Sequence, residues 1–370
     1  MDATSSYLDG DEYGSAYYSL PTDLPDLSEE TAPCTMESIG HFNTVFIPIA
    51  FSLIFVLGLV GNGLVLLVLG LRKCPWHLAD HYLLQLAVAD LLLCLTLPFW
   101  VTQFAHGWVF GRIPCKLLGA LFTLNMYSTV FFLACISLDR FLAIVHAMDL
   151  YRRQRPIHTH LLCLLVWSIC LGFAGVEIFF REVEFSVRAR VFFCHNAFAP
   201  IDANKWRIAL RLTNLSMGFL IPLLIMVFCY SQIFCSLHRS NLFAKHKSLK
   251  VVVVLLVVFV LCWAPYNTFL LVDSLQRLGY IDRNCYLEQV LDFGVTITEC
   301  LGLAHCCLNP IIYAFIGVKF RHELVRLFKK SRLQNQRSNL SPSSGHQSCR
   351  EHTVSSSAEQ ATSTIYPVLM

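Results

Sequence analysis

The chain has 370 residues, of which 55% are hydrophobic and 14% are charged, with a formal net charge of +3 at pH 7. Soluble proteins of this size usually carry about 25% charged residues. With a mean hydropathy of +0.56, the composition excludes an ordinary soluble domain, gives no reason to expect a nucleic-acid partner, and indicates an integral membrane protein.

The segment 1–43 is predicted to be an acidic, extracellular N-terminal tail. Its first 40 residues contain nine Asp and Glu residues and neither Lys nor Arg, a composition typical of disordered chain. Tyrosines are interleaved with the acids, and Tyr13 is the best placed of them. We expect the tail to attract and dock a basic protein, although a merely solubilising tail could have the same composition.

Seven apolar runs follow the tail, and each is long enough to cross a lipid bilayer. About 20 residues of helix span the ~30 Å hydrocarbon core, and helices are expected because lipid offers no partner to unpaired backbone groups. The fold predicted for residues 44–317 is therefore all-α, an integral-membrane bundle of seven transmembrane helices. The runs cover residues 44–71, 82–105, 115–145, 160–180, 209–237, 251–275 and 290–315.

The distribution of Lys and Arg predicts how the bundle is oriented. Basic residues follow spans one, three, five and seven, whereas residues 1–40 contain none. The loop after span four breaks this trend with Arg181, Arg188, Arg190 and Lys205, but that loop is long and its acids dilute the charge. We expect an extracellular N-terminus and a cytoplasmic C-terminus.

Four of the 16 cysteines fall on the predicted outer side: Cys34, Cys115, Cys194 and Cys285. Four cysteines allow three pairings. A bridge between Cys115 and Cys194 would fasten the loop after span four to the bundle, and Cys34 and Cys285 would then tie the tail to the start of span seven. The alternative is four free thiols, which an oxidising compartment disfavours. No Cys and His group has the spacing of metal ligands, so no metal site is predicted.

Asp90 lies in the middle of span two, where a lone carboxylate is costly. It should therefore face the interior of the bundle and meet polar groups from other spans. The candidate partners are Asn62, Asn125, Thr129 and Asn309. Such a network could hold water or a small cation such as Na⁺, or it could be purely structural; no other cofactor is predicted.

Four prolines within the spans predict kinks, because each removes a backbone hydrogen bond. They are Pro98, Pro222, Pro265 and Pro310. A kinked helix moves its two halves differently, which suits a bundle that transmits motion across a membrane; fixed bends that line a pocket are compatible with the same residues. The spans show no internal repeat, which argues against a transporter.

Two segments follow the last span. Residues 318–330 have apolar positions at helical spacing beside basic residues, a pattern typical of an interfacial helix on anionic membrane lipid. Residues 331–370 are rich in Ser and Thr and are predicted to form a cytoplasmic tail, in which phosphates would create a cluster of negative charge. The composition of this tail also fits an inert linker.

Several segments, taken in chain order, resemble the rhodopsin-like G-protein-coupled receptors over about residues 40–330. They are GNGLVLLVL, LAVADLLL, SLDRFLAIVHA, Trp167 of span four, CWAPYN and HCCLNPIIYAF. Within that class LTLPFW, YRRQRP and the four outer cysteines look like the chemokine receptors. Finer features, such as CWAPYN with Asp273 nearby, are most similar to the third CXC subtype.

The resemblance implies a function and a set of partners. It implies a non-enzymatic receptor of the plasma membrane that binds CXC chemokines, activates an inhibitory-type G protein, drives chemotaxis and calcium signalling, and is desensitised by receptor kinases and arrestin. Acid-flanked tyrosines such as Tyr13 resemble the sulfation sites of these receptors. Phe141 stands where the acid–Arg–Tyr motif has its tyrosine, which keeps a chemokine-scavenging receptor open as the alternative.

The same resemblance assigns an activation switch. The Asp139–Arg140 pair is expected to open when Arg140 meets the G protein, and Trp263 is expected to act as the aromatic toggle beneath the ligand pocket. Tyr313, in the Asn-Pro-x-x-Tyr motif, is expected to move inward toward Arg140 and Tyr230. The assigned switch residues are Asp139, Arg140, Tyr230, Trp263, Pro265, Asn309, Pro310 and Tyr313.

The resemblance also assigns a ligand pocket. Glu299 is expected to contact the basic N-terminus of the ligand, because an acid so far inside a span is functional by default. The other predicted pocket residues are the acids Asp273, Asp292 and Glu177 and the aromatic walls Trp100 and Tyr266. The alternative for the acids near the rim is local pairing with Arg207, Arg211 or Arg277. Glu177 departs from the commoner proline–Asp pattern of span four.

Overall fold

The computed structural model describes residues 37–71, 78–145, 156–187, 190–239, 247–282, 284–316 and 325–326. These residues include seven helices that are long and apolar enough to cross a membrane, and one two-stranded antiparallel sheet. The predicted fold class is therefore confirmed. Most of the predicted interfacial helix at 318–330 and the whole tail at 331–370 lie outside the described residues.

Five spans are single helices, and two are interrupted. The continuous helices are α1 (Glu37–Gly70), α2 (Leu78–His106), α3 (Arg112–Val145), α4 (Pro156–Phe180) and α6 (Lys247–Arg277). Span five, α5, consists of an α-helix Ala203–Leu215, a π-helical turn Ser216–Leu220 and an α-helix Ile221–Arg239. Span seven, α7, consists of Cys285–Leu303 and His305–Ile316, joined at Ala304.

Several helices begin earlier than the apolar runs that predicted them. The run at 44–71 corresponds to a helix from Glu37, and the run at 209–237 to a helix from Ala203. Hydropathy marks only the part of a helix that lies in hydrocarbon, whereas backbone hydrogen bonding continues into polar turns beyond it. The added turns extend α5 and α7 to polar residues beyond the apolar runs.

The apolar surface of the bundle is divided between lipid and core. Leu164 and Leu171 of α4 and Leu224 of α5 are more than half exposed, as expected for side chains that face lipid. By contrast, α3 carries many buried residues, including Phe132 and Val130, which have no exposed surface. The third helix therefore forms the centre against which the other spans pack.

The backbone carbonyl that Pro310 leaves unpaired in α7 is satisfied from another helix. Pro310 has no N–H, so it cannot bond to the carbonyl of Cys306, four residues earlier. That carbonyl instead accepts a hydrogen bond of 2.9 Å from Nδ2 of Asn62 on α1, and the same amide donates to the carbonyl of Gly58 at 3.0 Å. Asn62 was predicted to be a partner of Asp90; it is instead the group that satisfies the carbonyl left unpaired by the proline.

One end of the bundle, here called the hairpin end, is closed by a β-hairpin that the sequence analysis did not predict. Strands β1 (Arg181–Ser186) and β2 (Val191–Asn196) pair with Arg181 opposite Asn196. The bridge between Cys115 and Cys194 is present and joins β2 to the first turn of α3. Cys285 is also disulfide-bonded, and its predicted partner Cys34 lies outside the described residues.

Polar contacts also hold the hairpin to the helices. Glu182 accepts hydrogen bonds from Arg112 at 2.6 Å and from Lys116 at 2.8 Å, and these cations lower the pKa of Glu182 to about 2. Gln103 accepts from the backbone N–H of Cys194 at 2.8 Å. The hairpin is therefore fixed over the hairpin end by one covalent bond and several hydrogen bonds.

Candidate functional site

Glu177, a predicted pocket acid, is already paired. It lies on the last turn of α4, and Arg181 follows four residues later at the start of β1. Nε and Nη2 of Arg181 donate to Oε1 of Glu177 at 2.9 and 2.5 Å, and Nδ2 of Asn196 donates to Oε2 at 3.4 Å. Only 16% of the Arg181 side chain and 13% of the Glu177 side chain are exposed. Local pairing therefore occurs here, with an arginine that the sequence analysis had not considered.

The guanidinium of Arg181 lies between two helices. Its Cζ is 5.4 Å from the centre of the Trp100 ring on α2, a distance at which cation–π attraction operates. On the other side is Gly119 of α3, where a Cβ would lie 2.6 Å from Nε of Arg181. The missing side chain of Gly119 makes room for the cation, and Trp100, a predicted pocket residue, contacts it.

Asp273, a second predicted acid, lies in a cluster of arginines. It forms ion pairs with Arg211 of α5 and, at 2.9 Å, with Arg277 one turn further along α6. Arg207 lies close enough for its charge to act on this group, and its Cζ is 5.9 Å from the Phe198 ring. Asp273 is therefore paired within the protein, and the acids Asp292 and Glu288 lie close enough for their charges to act in the same region.

Glu299 and Asp292 differ from the other two acids. Within the described residues, neither has a basic group within 4 Å. Glu299 lies on α7 and the charge of Arg181 acts on it, while the charges of Asp273 and Arg277 act on Asp292. Glu299 is therefore the unpaired carboxylate of the pocket that lies nearest the Arg181 side.

Tyr266 lies between the two charged sides and above the predicted toggle. The charges of Glu299 and Arg211 both act on it, and its ring is 5.9 Å from that of Trp263 in an edge-to-face arrangement. Trp263 in turn lies 5.6 Å from the imidazole of His305. Aromatic contacts thus connect the floor of the pocket to the polar core of the bundle.

Asp90 is the centre of that polar core and is completely buried. Its Oδ1 accepts from Asn125 at 3.0 Å and from Thr129 at 3.5 Å, and its Oδ2 accepts from Asn309 at 3.0 Å. Three of the four partners proposed from the sequence are therefore brought to Asp90. Nε2 of His305 lies 3.7 Å from Oδ1, and this neighbour was not among the partners proposed from the sequence.

The arrangement at Asp90 does not fit a sodium ion as it stands. Na⁺ prefers oxygen ligands, as hard cations do, but the amides of Asn125 and Asn309 present N–H groups to the carboxylate. Binding would require both amides to present their oxygens instead. The oxygen donors already in place are the carboxylate and the hydroxyl of Thr129.

The opposite end of the bundle contains the predicted switch. Nη2 of Arg140 lies 3.6 Å from Oδ2 of Asp139, and the hydroxyl of Tyr230 is 2.8 Å from that of Ser137. Tyr313 is buried on α7. The two charges are therefore close without forming a hydrogen bond, and the role of this pair as a switch stays a prediction.

Phe141 and Pro265 complete the predicted positions that the structure describes. The Phe141 ring lies 5.8 Å from that of Phe228 on α5, so an apolar contact takes the place of a hydroxyl. Pro265 lies within α6, two residues after Trp263. Tyr13 lies outside the described residues.

Comparison with known proteins gives a consistent result. Residues 61–313 match the model of the family described as 7 transmembrane receptor (rhodopsin family). The chain is 44% identical over 305 residues to the C-X-C chemokine receptor type 3 of Homo sapiens, with 82% of each chain covered. It is 41% identical over 310 residues to the C-X-C chemokine receptor type 2 of Homo sapiens, covering 84% of this chain and 85% of that receptor.

Proposed function

Because the chain belongs to the rhodopsin family of seven-transmembrane receptors, and within it to the chemokine receptors, we propose that it binds basic CXC chemokines at the hairpin end and activates an inhibitory-type G protein at the other. It is a multi-pass membrane protein of a family of receptors, not of enzymes. Chemotaxis and calcium signalling would be its cellular outputs.

The observation that carries the proposal is a series of neighbouring side chains that leads from Glu299 to the centre of the bundle. The charge of Glu299 acts on Tyr266, the ring of Tyr266 packs on Trp263, and Trp263 lies beside His305, which is close to Asp90. Cations bound at Glu299 would act on the first member of this series. A change in the position of α6 or α7 could then be transmitted to Arg140, because packed side chains with two arrangements carry coupling between sites.

The proposed topology places the hairpin end outside the cell. Disulfides form and persist in oxidising compartments, and the Cys115–Cys194 bridge lies at this end. The acidic tail with Tyr13 would then steer the basic ligand by charge, and the Ser/Thr-rich tail at 331–370 would receive phosphates from receptor kinases and bind arrestin. The segment 318–330 would lie on anionic lipid.

The test of the proposal is a panel of purified CXC chemokines applied to cells that express the chain. At least one chemokine should promote GTPγS loading of an inhibitory-type G protein and release calcium. Arg140→Ala should leave ligand binding intact and abolish nucleotide exchange. Signalling that survives Arg140→Ala, or a chain that binds no chemokine, would contradict the proposal.

Glu299 allows the pocket to be tested separately. Glu299→Gln removes the charge while keeping the shape, and it should impair activation more than total binding, because the tail still docks the ligand. Asp202→Asn is the control, since Asp202 is an acid at the same end that pairs with Lys205 and was not predicted to line the pocket. An equal loss of binding and activation in Glu299→Gln would show that Glu299 is not a pocket contact.

A scavenging receptor is the second candidate, and Phe141 is the observation that favours it. The hydroxyl of the motif is absent and the ring packs toward Phe228, whereas the Asp139–Arg140 pair is retained. Chemokine uptake without nucleotide exchange would favour scavenging. Recovery of exchange in Phe141→Tyr would identify the missing hydroxyl as the cause.

A further inference from the structure

We infer that Arg181 is a specificity-determining residue of the ligand pocket. Glu177 neutralises the charge of Arg181 and does not contact the ligand itself. The positively charged end of the ligand is then received by Glu299 alone. The inference rests on the proposed function. It predicts that the part of the ligand that reaches Glu299 is a chain end with a single positive charge.

The hydrogen bonds of Glu177 show that its carboxylate is in use. Arg181 donates twice to Oε1, and Asn196 donates to Oε2, so both oxygens have donors. Asn196 is the residue opposite Arg181 in the hairpin, which means that the hairpin itself brings both donors to this acid. A ligand cation could reach Glu177 only by displacing a pair that is largely buried, and charge-assisted pairs of this kind are strong.

The position of Arg181 is fixed from several sides. Its backbone belongs to β1 and pairs with β2, and β2 is bonded to α3 through the Cys115–Cys194 bridge. Its side chain lies over Trp100 and against Gly119. A guanidinium is always charged, so Arg181 is a permanent positive charge in the pocket wall.

The charges of this corner therefore leave room for one ligand cation. Glu177 and Arg181 balance each other, and Glu299 is the further acid on which the charge of Arg181 acts. Across the pocket, Asp273 is itself paired with Arg211 and Arg277. A ligand end with a free ammonium group fits Glu299, whereas a second positive charge placed toward α4 would be repelled by Arg181.

The rival explanation is that Glu177 contacts the ligand directly, and the two explanations predict opposite behaviour of a double variant. If Glu177 only neutralises Arg181, Glu177→Gln leaves an unpaired cation in the pocket and should lower chemokine potency at least about 30-fold, as expected when one member of a buried charge pair is removed. Adding Arg181→Gln removes that cation, and potency should return to within about threefold of wild type. A direct contact would stay lost in the double variant.

The experiment uses the full-length receptor in cells, with the most potent CXC chemokine from the panel and the same chemokine acetylated at its N-terminus. Arg181→Gln alone should raise the potency of the free-amine chemokine severalfold and that of the acetylated one much less. Arg181→Lys retains the charge and should behave like wild type within about threefold. Arg112→Gln is the matched control, because this exposed arginine at the same end pairs with Glu182, and it should leave both potencies unchanged.

Three results would overturn the inference. The first is a loss of potency in Glu177→Gln that the added Arg181→Gln does not restore, and the second is an equal effect of Arg181→Gln on the potencies of the free and acetylated chemokines. The third is a loss of potency in Arg112→Gln as large as that in Glu177→Gln. If Glu177→Gln fails to reach the cell surface, recovery of surface expression in the double variant supports the pairing and its failure contradicts it. A wild-type receptor that no chemokine activates would refute the proposed function and the inference together, whereas normal activation without rescue refutes the inference alone.

Discussion

Removal of the Cys115–Cys194 bridge is expected to destabilise the receptor substantially. The bond joins residues 79 positions apart, and in the chain-entropy description closing a loop of this length stabilises the fold by about 4.5 kcal/mol. The hydrogen bonds that also hold the hairpin, such as that from the Cys194 N–H to Gln103, contribute about 0.5–1.5 kcal/mol each. The bridge is therefore expected to contribute as much as several of these contacts combined.

The assay is unfolding of the purified receptor by titration with SDS, comparing wild type with a Cys115→Ser/Cys194→Ser variant. We expect the free energy of unfolding to fall by about 4–5 kcal/mol and chemokine potency to change, because a displaced hairpin carries Arg181 and Asn196 away from Glu177. A free, exposed thiol, Cys235, offers the control variant Cys235→Ser, which should be neutral.

The reasoning would be refuted by a bridge variant whose free energy of unfolding lies within about 1 kcal/mol of wild type. Such a result would mean that the polar contacts of Glu182, Gln103 and the strand pairing suffice to hold the hairpin. A large loss of stability with unchanged chemokine potency would instead separate the hairpin from the pocket, and it would contradict the geometry described for Arg181.

Three further predictions concern single residues. Glu182→Gln should destabilise the receptor at pH 5–7 but not near pH 2. The pKa of Glu182 is lowered from 4.5 to about 2, so its ion pair stabilises the fold above about pH 4.5 and is lost as the pH falls through 2. The thermal unfolding temperatures of wild type and variant should therefore become equal only at the acid end of this range. Gly61→Val should destabilise the receptor by about 1–3 kcal/mol through overpacking, because a Cβ at this position lies 3.0 Å from Pro310. Gly63→Val is the control and should be neutral, because a Cβ there has nothing within 4 Å. Equal SDS-unfolding curves for the two variants would contradict the close approach of Gly61 to Pro310. Asn62→Leu should cost about 1–3 kcal/mol by leaving a buried carbonyl unpaired, and an unchanged unfolding midpoint would show that this carbonyl finds another donor.

The parts of the fold that could be predicted from the sequence are those that depend on one dominant force. The seven spans follow from hydrophobicity, because only a long apolar helix is stable in lipid. The partners of Asp90 could be predicted because a buried carboxylate has few options, and Asn125, Thr129 and Asn309 are among the few polar residues in the spans. Hydropathy predicted the residues at which helices begin and end less accurately, as the early start of α5 at Ala203 demonstrates.

The parts that could not be predicted depend on several weak preferences or on distant contacts. Hydropathy does not reveal the hairpin, although REVEFS and VFFCHN are short segments that could alternate on two faces of a strand pair. The pairing of Glu177 with Arg181 had a usable signal, the i,i+4 spacing at a helix end, but the arginine was counted only as a loop charge. Asn62 has no such signal, because the carbonyl that it satisfies is exposed by a proline 248 positions later in the chain.

The hydrogen bond from Asn62 has a mechanical consequence for α1. In most kinked helices the carbonyl freed by a proline can be satisfied by water or by a neighbouring turn, and the hinge is then a local property of that helix. Here the donor comes from a different helix, so the position of the segment that begins at His305 depends on two spans. If that segment rotates, α1 must move with it or the buried carbonyl of Cys306 loses its donor. A force that acts on α1, such as a change of lipid thickness, therefore reaches the seventh helix.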